Sequence, residues 1–177
     1  QIQPVETICY NNFMSKLINL LKQNNILTYG DFTLRSGEQS NYYCDIKQAL
    51  GNPKVLKLII AELIKLVPIK TTCIAGSGYG GITLASLVAH KLGLPLSLVR
   101  DKVKDHGTKK LIDGYIPNKK DFVCIIDDVF TTGSSIADTR EKLVITNTKF
   151  TKPLVVLNRS NNKQIISVLR DRDLMKH

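Results

Sequence analysis

Short apolar runs alternate with helical segments along most of the chain, and this alternation restricts the fold more than any other feature. The runs have the length of strands and are largely apolar. They occupy residues 72–75, 96–99, 122–126 and 153–157. Strands that are apolar on both faces form parallel sheets covered by helices on both sides. The sequence therefore predicts an α/β fold with a mainly parallel central sheet.

Helical spacing and turn residues predict the remaining elements. Apolar residues recur every three to four positions over 5–21, and a strongly apolar helix is predicted over 53–67. Two strands of a hairpin are predicted at 31–34 and 42–46. Further helices are predicted at residues 79–92, 134–143 and 163–169. Ligands bind beyond the carboxyl ends of the strands in such sheets, so we expect the chemistry just after each apolar run.

Two adjacent carboxylates and a loop of small hydroxylated residues follow the run 122–126. Asp127 and Asp128 come first, and residues 131–135 read Thr-Thr-Gly-Ser-Ser where a helix begins. Backbone N–H groups and hydroxyls at a helix N-terminus suit a phosphate. The acid pair can accept hydrogen bonds from vicinal sugar hydroxyls or help to organise a hydrated Mg²⁺. The alternative is an N-capping loop with two solvated carboxylates.

This run closely resembles the phosphoribosyl pyrophosphate (PRPP) signature of type I phosphoribosyltransferases. The resemblance implies that family's fold in a single domain, with an N-terminal helix and small hood in 1–50 and the core in 51–177. It also implies that Asp127 and Asp128 face the ribose hydroxyls as catalytic residues and that the loop holds the 5′-phosphate. The PRPP-binding residues of this run are then Asp127, Asp128, Val129, Phe130, Thr131, Thr132, Gly133, Ser134 and Ser135.

Residues 100–107, which read Arg-Asp-Lys-Val-Lys-Asp-His-Gly, resemble the catalytic loop of orotate phosphoribosyltransferases. Cationic groups this close together can neutralise a departing pyrophosphate, and a loop can close over the site. The resemblance implies that Arg100, Lys104 and His106 bind PRPP in the neighbouring subunit of a homodimer, with Lys104 and His106 catalytic. Asp101 stands where some members carry Lys, which leaves the role of Lys102 open. A solvated charged loop is the alternative.

Two further segments resemble the part of that family's site that holds orotate. Residues 32–45 match the family pattern Phe-x-Leu-x-Ser-Gly-x-x-Ser-Pro-x-Tyr, with Asn at the position where Pro is common. An Arg after the run 153–157 can form a bidentate fork with a carboxylate, and Asn158 stands where the family often has Asp. The alternatives are ordinary aromatic packing in the first segment and a surface ion pair for the arginine. The resemblance places Arg35 at PRPP and assigns orotate binding to Tyr43, Cys44, Thr131 and Arg159.

A glycine-rich turn follows the run 72–75 and fits the GxGxxG pattern of dinucleotide-binding proteins. No acidic residue ends the next strand, so we reject the dinucleotide interpretation. The turn resembles the family's pyrophosphate loop instead, which implies that Tyr79 and Gly80 bind PRPP. Gly80 stands where some members have Lys.

The net charge of +10 could indicate nucleic-acid binding, but the sequence lacks zinc-finger spacing and RNP-type aromatic residues. Residues 100–120 hold seven Lys or Arg against three Asp, which also suits a small polyanionic substrate. The four cysteines form no CxxC pair and are interpreted as free thiols. Because no apolar stretch could span a membrane and no signal peptide is visible, we expect a cytoplasmic protein without membrane or nucleic-acid partners.

The resemblance therefore implies an orotate phosphoribosyltransferase of pyrimidine (UMP) biosynthesis, which joins orotate to PRPP and releases orotidine 5′-monophosphate and pyrophosphate. It implies Mg²⁺ as cofactor, bound mainly through PRPP and water. A phosphoribosyltransferase for another base and a non-catalytic, PRPP-sensing regulator that binds nucleic acid are the alternatives. Family members continue with another strand and helix near the C-terminus, and we expect this chain, which ends at residue 177, to lack them.

Overall fold

The computed structural model describes residues 5–33, 37, 39–102 and 110–175, with side chains described from residue 12 onward. Arg35, Lys104 and His106 lie outside the described residues. The elements are α1 (Val5–Gln23), β1 (Leu27–Thr33), β2 (Gln39–Cys44), α2 (Ile46–Ala49), α3 (Pro53–Leu66), β3 (Cys73–Ser77), α4 (Gly78–Leu92), β4 (Leu96–Val99), β5 (Ile112–Gly114), β6 (Phe122–Phe130), α5 (Ser134–Val144), β7 (Lys149–Phe150), β8 (Leu154–Asn158), β9 (Ile166–Arg170) and α6 (Asp171–Met175).

The central sheet has the strand order β5-β4-β3-β6-β8-β9, with the short β7 also paired to β6. All of its pairings are parallel except the one between β4 and β5. This confirms the predicted α/β fold with a mainly parallel sheet. The chain runs from β3 through α4 to β4 on one side, and from β6 through α5 to β8 on the other. The strand order therefore reverses between β3 and β6, and a crevice opens at their carboxyl ends.

The N-terminal strands β1 and β2 form a separate antiparallel sheet of two strands. One continuous apolar core nevertheless joins the two sheets. It contains Leu17 and Leu21 of α1, Tyr42 of β2, Leu63 of α3 and Ile126 of β6, all of them buried. Burial of this shared apolar surface holds the small sheet against the larger one.

Local sequence signals set the start of α3 and the end of α4. Pro53 occupies the first turn of α3, and the Asn52 side chain accepts hydrogen bonds from the backbone N–H groups of Lys54 and Val55. Gly93 ends α4 in the left-handed conformation, with φ of 66°. Among the described residues, no helix is both long enough and apolar enough to cross a lipid bilayer.

The C-terminal segment differs from the prediction. The helix predicted at 163–169 is wrong, because Ile166–Arg170 forms β9, which pairs in parallel with β8. The segment is short, apolar and rich in β-branched residues, and its periodicity fits either structure. The open edge of β8 gives it a strand partner. The series of strands therefore does not end at β8, the last strand predicted, because β9 and the short helix α6 follow it.

Several strands are longer than predicted or were not predicted. β6 continues to Phe130, four residues beyond its predicted end, so the acid pair lies inside the strand rather than after it. Backbone pairing with β8 extends the strand, because Asp127 lies opposite Val155 and Phe130 opposite Asn158. Residues 27–33 and 39–44 form the N-terminal hairpin, a few positions before the predicted strands. The strands β5 and β7 were not predicted, because they are too short to show an apolar pattern in the sequence.

Candidate active site

The two carboxylates lie at the crevice between β3 and β6. Asp127 and Asp128 are both buried, 7% and 9% exposed. The backbone N–H of Asp128 donates to Asp127 Oδ1 at 2.9 Å, and that of Val129 donates to Asp128 Oδ1 at 3.0 Å. Side chains of consecutive strand residues point to opposite faces, but these backbone contacts turn both carboxyl groups toward their own chain. The sequence-predicted pair is thus fixed in position before any ligand binds.

Burial dominates the titration of Asp127. It raises the pKa of the Asp127 carboxyl to about 6, and the neighbouring charge of Asp128 acts in the same direction. Hydrogen bonds from the Ser135 hydroxyl and the Asp128 backbone N–H oppose the rise in pKa. Asp127 therefore changes its charge close to neutral pH, unlike a solvated aspartate.

The first turn of α4 packs directly on the two acids. A Cβ atom added to Gly80 would lie 2.5 Å from Asp128 Oδ2, and one added to Gly81 would lie 3.1 Å from Asp127 Oδ1. Only glycine at position 80 allows the helix to approach this closely. The structure thus gives a physical reason for Gly80, and it has no room here for the Lys found in some family members.

Lys47, which sequence reasoning missed, forms an ion pair with the acid pair. Its Nζ lies 3.1 Å from Asp128 Oδ2. The Asp45 side chain caps α2 by accepting from the backbone N–H of Lys47, and this short helix packs near β6. The hydrogen bond to Asp128 and the charge of that carboxylate raise the pKa of Lys47. No local sequence pattern distinguishes this lysine from the other exposed ones.

The loop between β6 and α5 turns sharply at a glycine and exposes hydroxyl side chains. Gly133 has φ of 83°, and a Cβ there would lie 2.6 Å from the Phe130 ring. Thr131 and Thr132 are exposed at this turn, as are Ser134 and Ser135 in the first turn of α5. The Ser77 hydroxyl at the end of β3 hydrogen-bonds the Thr139 hydroxyl of α5 at 2.6 Å. α5 therefore packs beside the end of β3, and the dipole at its N-terminus favours a phosphate.

Arg100 lies at the other side of the crevice, held by an acidic residue on β5. Its Nε donates to Asp113 Oδ2 at 2.6 Å, and its Nη2 lies 2.5 Å from the same oxygen. Arg100, Lys102 and the exposed Tyr79 line a cavity of about 280 Å³. The structure thus brings together Tyr79 and Arg100, which the sequence predicted separately for PRPP. Lys142 of α5 donates to the backbone carbonyl of Asp101 at 3.1 Å, beside this cavity.

Arg159 follows β8 directly and lies next to the end of β6. Its backbone N–H donates to the carbonyl of Phe130 at 2.8 Å, the residue that precedes Thr131. The side chain of Arg159 is only 14% exposed. The two predicted orotate residues Thr131 and Arg159 are therefore neighbours in space, although 28 positions separate them.

Arg159 makes three side-chain contacts that the sequence did not predict. Its Nη2 donates to Ser40 Oγ at 3.0 Å, and its guanidinium carbon lies 4.7 Å from the centre of the Tyr42 ring. Its Nε lies 3.5 Å from Asp171 Oδ1. The Tyr42 hydroxyl donates to the same oxygen of Asp171. Burial, followed by this hydrogen bond, raises the pKa of Tyr42 well above its ordinary value, so the phenol remains a donor.

Asn158 does not share in this cluster. Its Oδ1 accepts from the backbone N–H and the hydroxyl of Ser160, each at 2.9 Å, and its Nδ2 donates to the carbonyl of Asn162. Asn158 therefore shapes the loop after Arg159, while Asp171 supplies the carboxylate that faces the guanidinium.

The two predicted residues of β2 lie on different faces of the strand. Cys44 lies on the same face as Ser40 and Tyr42, and burial raises the pKa of its thiol to about 12, with the charge of Arg159 opposing that rise. Tyr43 points the other way, with its ring 5.7 Å from that of Phe32. The structure therefore places Cys44 near Arg159 and Tyr43 away from it. The period-two pattern of β2 is the sequence signal that could have indicated Ser40 and Tyr42.

The acid pair is the part of the site that suits a cation. Within the described ranges, no group of three His, Cys, Asp or Glu side chains converges to hold a metal ion. Asp127 and Asp128 nevertheless present carboxylate oxygens, which hard cations such as Mg²⁺ accept directly or through water. They fit a metal whose remaining ligands come from a bound phosphate compound and from water.

Comparison with known proteins gives a consistent result. The chain is 47% identical to the orotate phosphoribosyltransferase of Methanocaldococcus jannaschii over 125 residues, 69% of each chain. It is 35% identical to that of Methanococcus maripaludis over 173 residues, which cover 90% of this chain and 92% of the relative. No family model matches the chain.

The fold also has a solved counterpart. The crystal structure of orotate phosphoribosyltransferase from Aeropyrum pernix superposes with a TM-score of 0.78 at 28% identity. The match covers 90% of this chain and 96% of that one. The strand order and the crevice described above thus belong to a fold known from a crystal structure.

Proposed function

The chain belongs to the orotate phosphoribosyltransferase family, and we propose that it is an enzyme that transfers the 5-phosphoribosyl group of PRPP to orotate. The products are orotidine 5′-monophosphate and pyrophosphate, and the reaction serves pyrimidine biosynthesis. The bond from C1′ to the pyrophosphate oxygen breaks, a ring nitrogen of orotate loses its proton to solvent, and a bond from C1′ to that nitrogen forms.

The observation that carries this proposal is the position of Arg159. The Arg159 backbone bonds to Phe130, so the side chain starts beside the Thr131–Ser135 loop, and its guanidinium lies against Ser40 and Tyr42. A guanidinium binds a carboxylate through two parallel hydrogen bonds. Orotate carries a carboxylate, and uracil and the purine bases do not. A cation of this shape next to a phosphate-binding loop therefore supports orotate over another base.

The PRPP side of the site follows from the acid pair and the loop. Asp127 and Asp128 accept hydrogen bonds from the ribose hydroxyls, and the N-terminus of α5 binds the 5′-phosphate through residues 131–135. Burial of the acids supports this role, because the pair is fixed before substrate arrives and needs no reorganisation. Mg²⁺ bound to PRPP would be oriented by Asp127 and Asp128 through water, and it supplies charge neutralisation at the pyrophosphate.

The leaving group requires positive charge on the other side of the crevice. We assign this role to Arg100 together with Lys104 and His106, and Tyr79 and Gly80 border the pyrophosphate. The ion pair with Asp113 holds Arg100 at the mouth of the cavity that Tyr79 also lines, which supports a role for Arg100 in the site of its own chain, whereas the resemblance places Lys104 and His106 at the site of the neighbouring subunit. Arg35 at PRPP, Tyr43 and Cys44 at orotate, the homodimer and the cytoplasmic location remain predictions.

Initial-rate assays test the proposal. We expect PRPP-dependent and Mg²⁺-dependent loss of orotate absorbance, with uracil and adenine left unreacted. Lys104→Ala should lower kcat far more than it raises KM for PRPP, since Lys104 stabilises the departing pyrophosphate. Lys57→Ala removes the same charge from an exposed position of α3 and should leave both constants unchanged. Turnover of uracil at the rate of orotate, or an unchanged kcat for Lys104→Ala, would contradict the assignment.

A further inference from the structure

Arg159 is surrounded on three sides by residues from other parts of the chain. Ser40 and Tyr42 reach it from the small N-terminal sheet, and Asp171 reaches it from the start of α6. Tyr42 is completely buried and the Asp171 side chain is 27% exposed. The guanidinium of Arg159 therefore has little freedom to turn about its own side chain.

The contacts use one edge of the guanidinium and leave the other edge open. Nε faces Asp171 and Nη2 donates to Ser40, and these two nitrogens share the side edge of the group. Within the described part of the chain, Nη1 donates no hydrogen bond, and Nη2 keeps its second N–H. These remaining N–H groups lie on the end edge, where they can bind a carboxylate in a bidentate fork.

Asp171 is itself fixed in position. The Tyr42 hydroxyl donates to the Asp171 oxygen that faces Arg159. The Tyr29 hydroxyl of β1 donates to the backbone carbonyl of Leu174 at 2.9 Å and so holds α6 against the N-terminal sheet. The carboxylate of Asp171 is thus a rigid support and not a mobile surface charge.

From these contacts we infer that Asp171 is a positioning residue for orotate recognition, which orients Arg159 so that its open edge faces the orotate carboxylate. This inference rests on the proposed function, because it takes Arg159 as the group that binds orotate. Asp171 touches no substrate in this role. It sets the plane of the fork, and Tyr42 holds Asp171 in place through its hydroxyl group.

Orientation and charge predict different results for substitutions at position 171. Asp171→Ala removes the support, so Arg159 can rotate and KM for orotate should rise about tenfold to a hundredfold. KM for PRPP and kcat at saturating orotate should stay within about twofold of the wild type. Asp171→Asn keeps an oxygen that accepts from Tyr42 and faces Arg159, and it should restore most of the affinity for orotate. A loss that is as large in Asp171→Asn as in Asp171→Ala would overturn the orientation argument.

Two further variants separate this role from the integrity of α6. Tyr42→Phe removes only the hydroxyl that holds Asp171, and it should raise KM for orotate several-fold. If Asp171→Ala does not fold, Tyr42→Phe tests the inference in its place. Asp173→Ala removes a contact at the start of the same helix and should leave KM for orotate unchanged. An equal rise for Asp173→Ala would overturn the inference in favour of a role for the helix as a whole.

The proposed function and this inference fail in different ways. If the wild-type protein does not consume orotate with PRPP, the proposed function is wrong. If the wild type is active and Asp171→Ala keeps its KM for orotate, the function stands and the inference is wrong.

Discussion

The charge of the buried acid pair depends on one partly exposed cation, and removing that cation gives a quantitative test of the site. Lys47→Met takes away the ammonium group 3.1 Å from Asp128 Oδ2 and keeps an unbranched side chain. Among the described residues, no other cation forms an ion pair with Asp127 or Asp128. The remaining charged group beside Lys47 is Asp45, which also favours the charged lysine.

The expected magnitude follows from the distance and the exposure. At 3.1 Å the Coulomb energy is about 1.3 kcal/mol with the dielectric constant of water and about 5 kcal/mol with an effective value near 20. The Lys47 side chain is 62% exposed, so solvent screening favours the smaller figure. An energy of about 1.4 kcal/mol corresponds to about one pKa unit.

The direction of the pH effect follows from the role of Asp127. Burial raises the pKa of Asp127 to about 6, and its ionised form accepts hydrogen bonds from ribose hydroxyls. Protonation below this pH weakens PRPP binding, so kcat/KM for PRPP should fall on the acid side with a midpoint at about pH 6. Lys47→Met makes the negative charge of the pair less favourable. Because Lys47 contacts Asp128 and acts more weakly on Asp127, the midpoint should move up by less than about one unit.

The assay is the initial rate at saturating orotate and varied PRPP, from about pH 5 to about pH 9. Lys57→Met serves as the matched control, because it removes the same charge from an exposed position on α3. An acid limb that stays in place in Lys47→Met would refute the reasoning. A shift of equal size in Lys57→Met would show that net charge, and not the ion pair with Asp128, is responsible.

Two more predictions test the packing around the site and away from it. Gly80→Ala pushes a methyl group against Asp128. It should raise KM for PRPP about tenfold to a hundredfold, as expected for the loss of a charged hydrogen bond. Gly51→Ala is the control and should not change KM, because its new methyl group meets nothing closer than 3.5 Å. Asp121→Asn should lower the free energy of unfolding by about 2–4 kcal/mol in urea titrations at neutral pH without changing kcat, because Asp121 accepts hydrogen bonds from Thr72, Tyr115 and Asn118. Burial acts to raise the pKa of Asp121, but these hydrogen bonds outweigh it and lower that pKa. The contribution of Asp121 to stability is therefore present above the unfolded pKa of 3.8, and it is lost as the pH falls through the lower pKa of the folded state. An Asp121→Asn variant as stable as the wild type would contradict the argument for Asp121. An unchanged KM for PRPP in Gly80→Ala would contradict the argument for Gly80.

Most of the fold could be predicted from local patterns. The predicted strand 96–99 matches β4, and the predicted helices 79–92 and 134–143 end within one residue of α4 and α5. These elements carry strong periodicity and clear start and stop residues, such as Gly93 after α4. The helix predicted at 163–169 was wrong because a short apolar run fits a helix and a strand equally well. Only the open edge of β8 decides in favour of the strand.

The sequence by itself determined which chemistry the chain can carry. Asp127, Asp128 and the loop 131–135 are contiguous, so their order is visible without a structure, and Arg159 is recognisable at the end of a strand. The tertiary structure alone decided how these groups are supported. Lys47 meets Asp128 across 81 positions of sequence, and Tyr42 meets Asp171 across 129. Such pairs have no common local pattern, because the packing of whole helices and strands sets the distance between them.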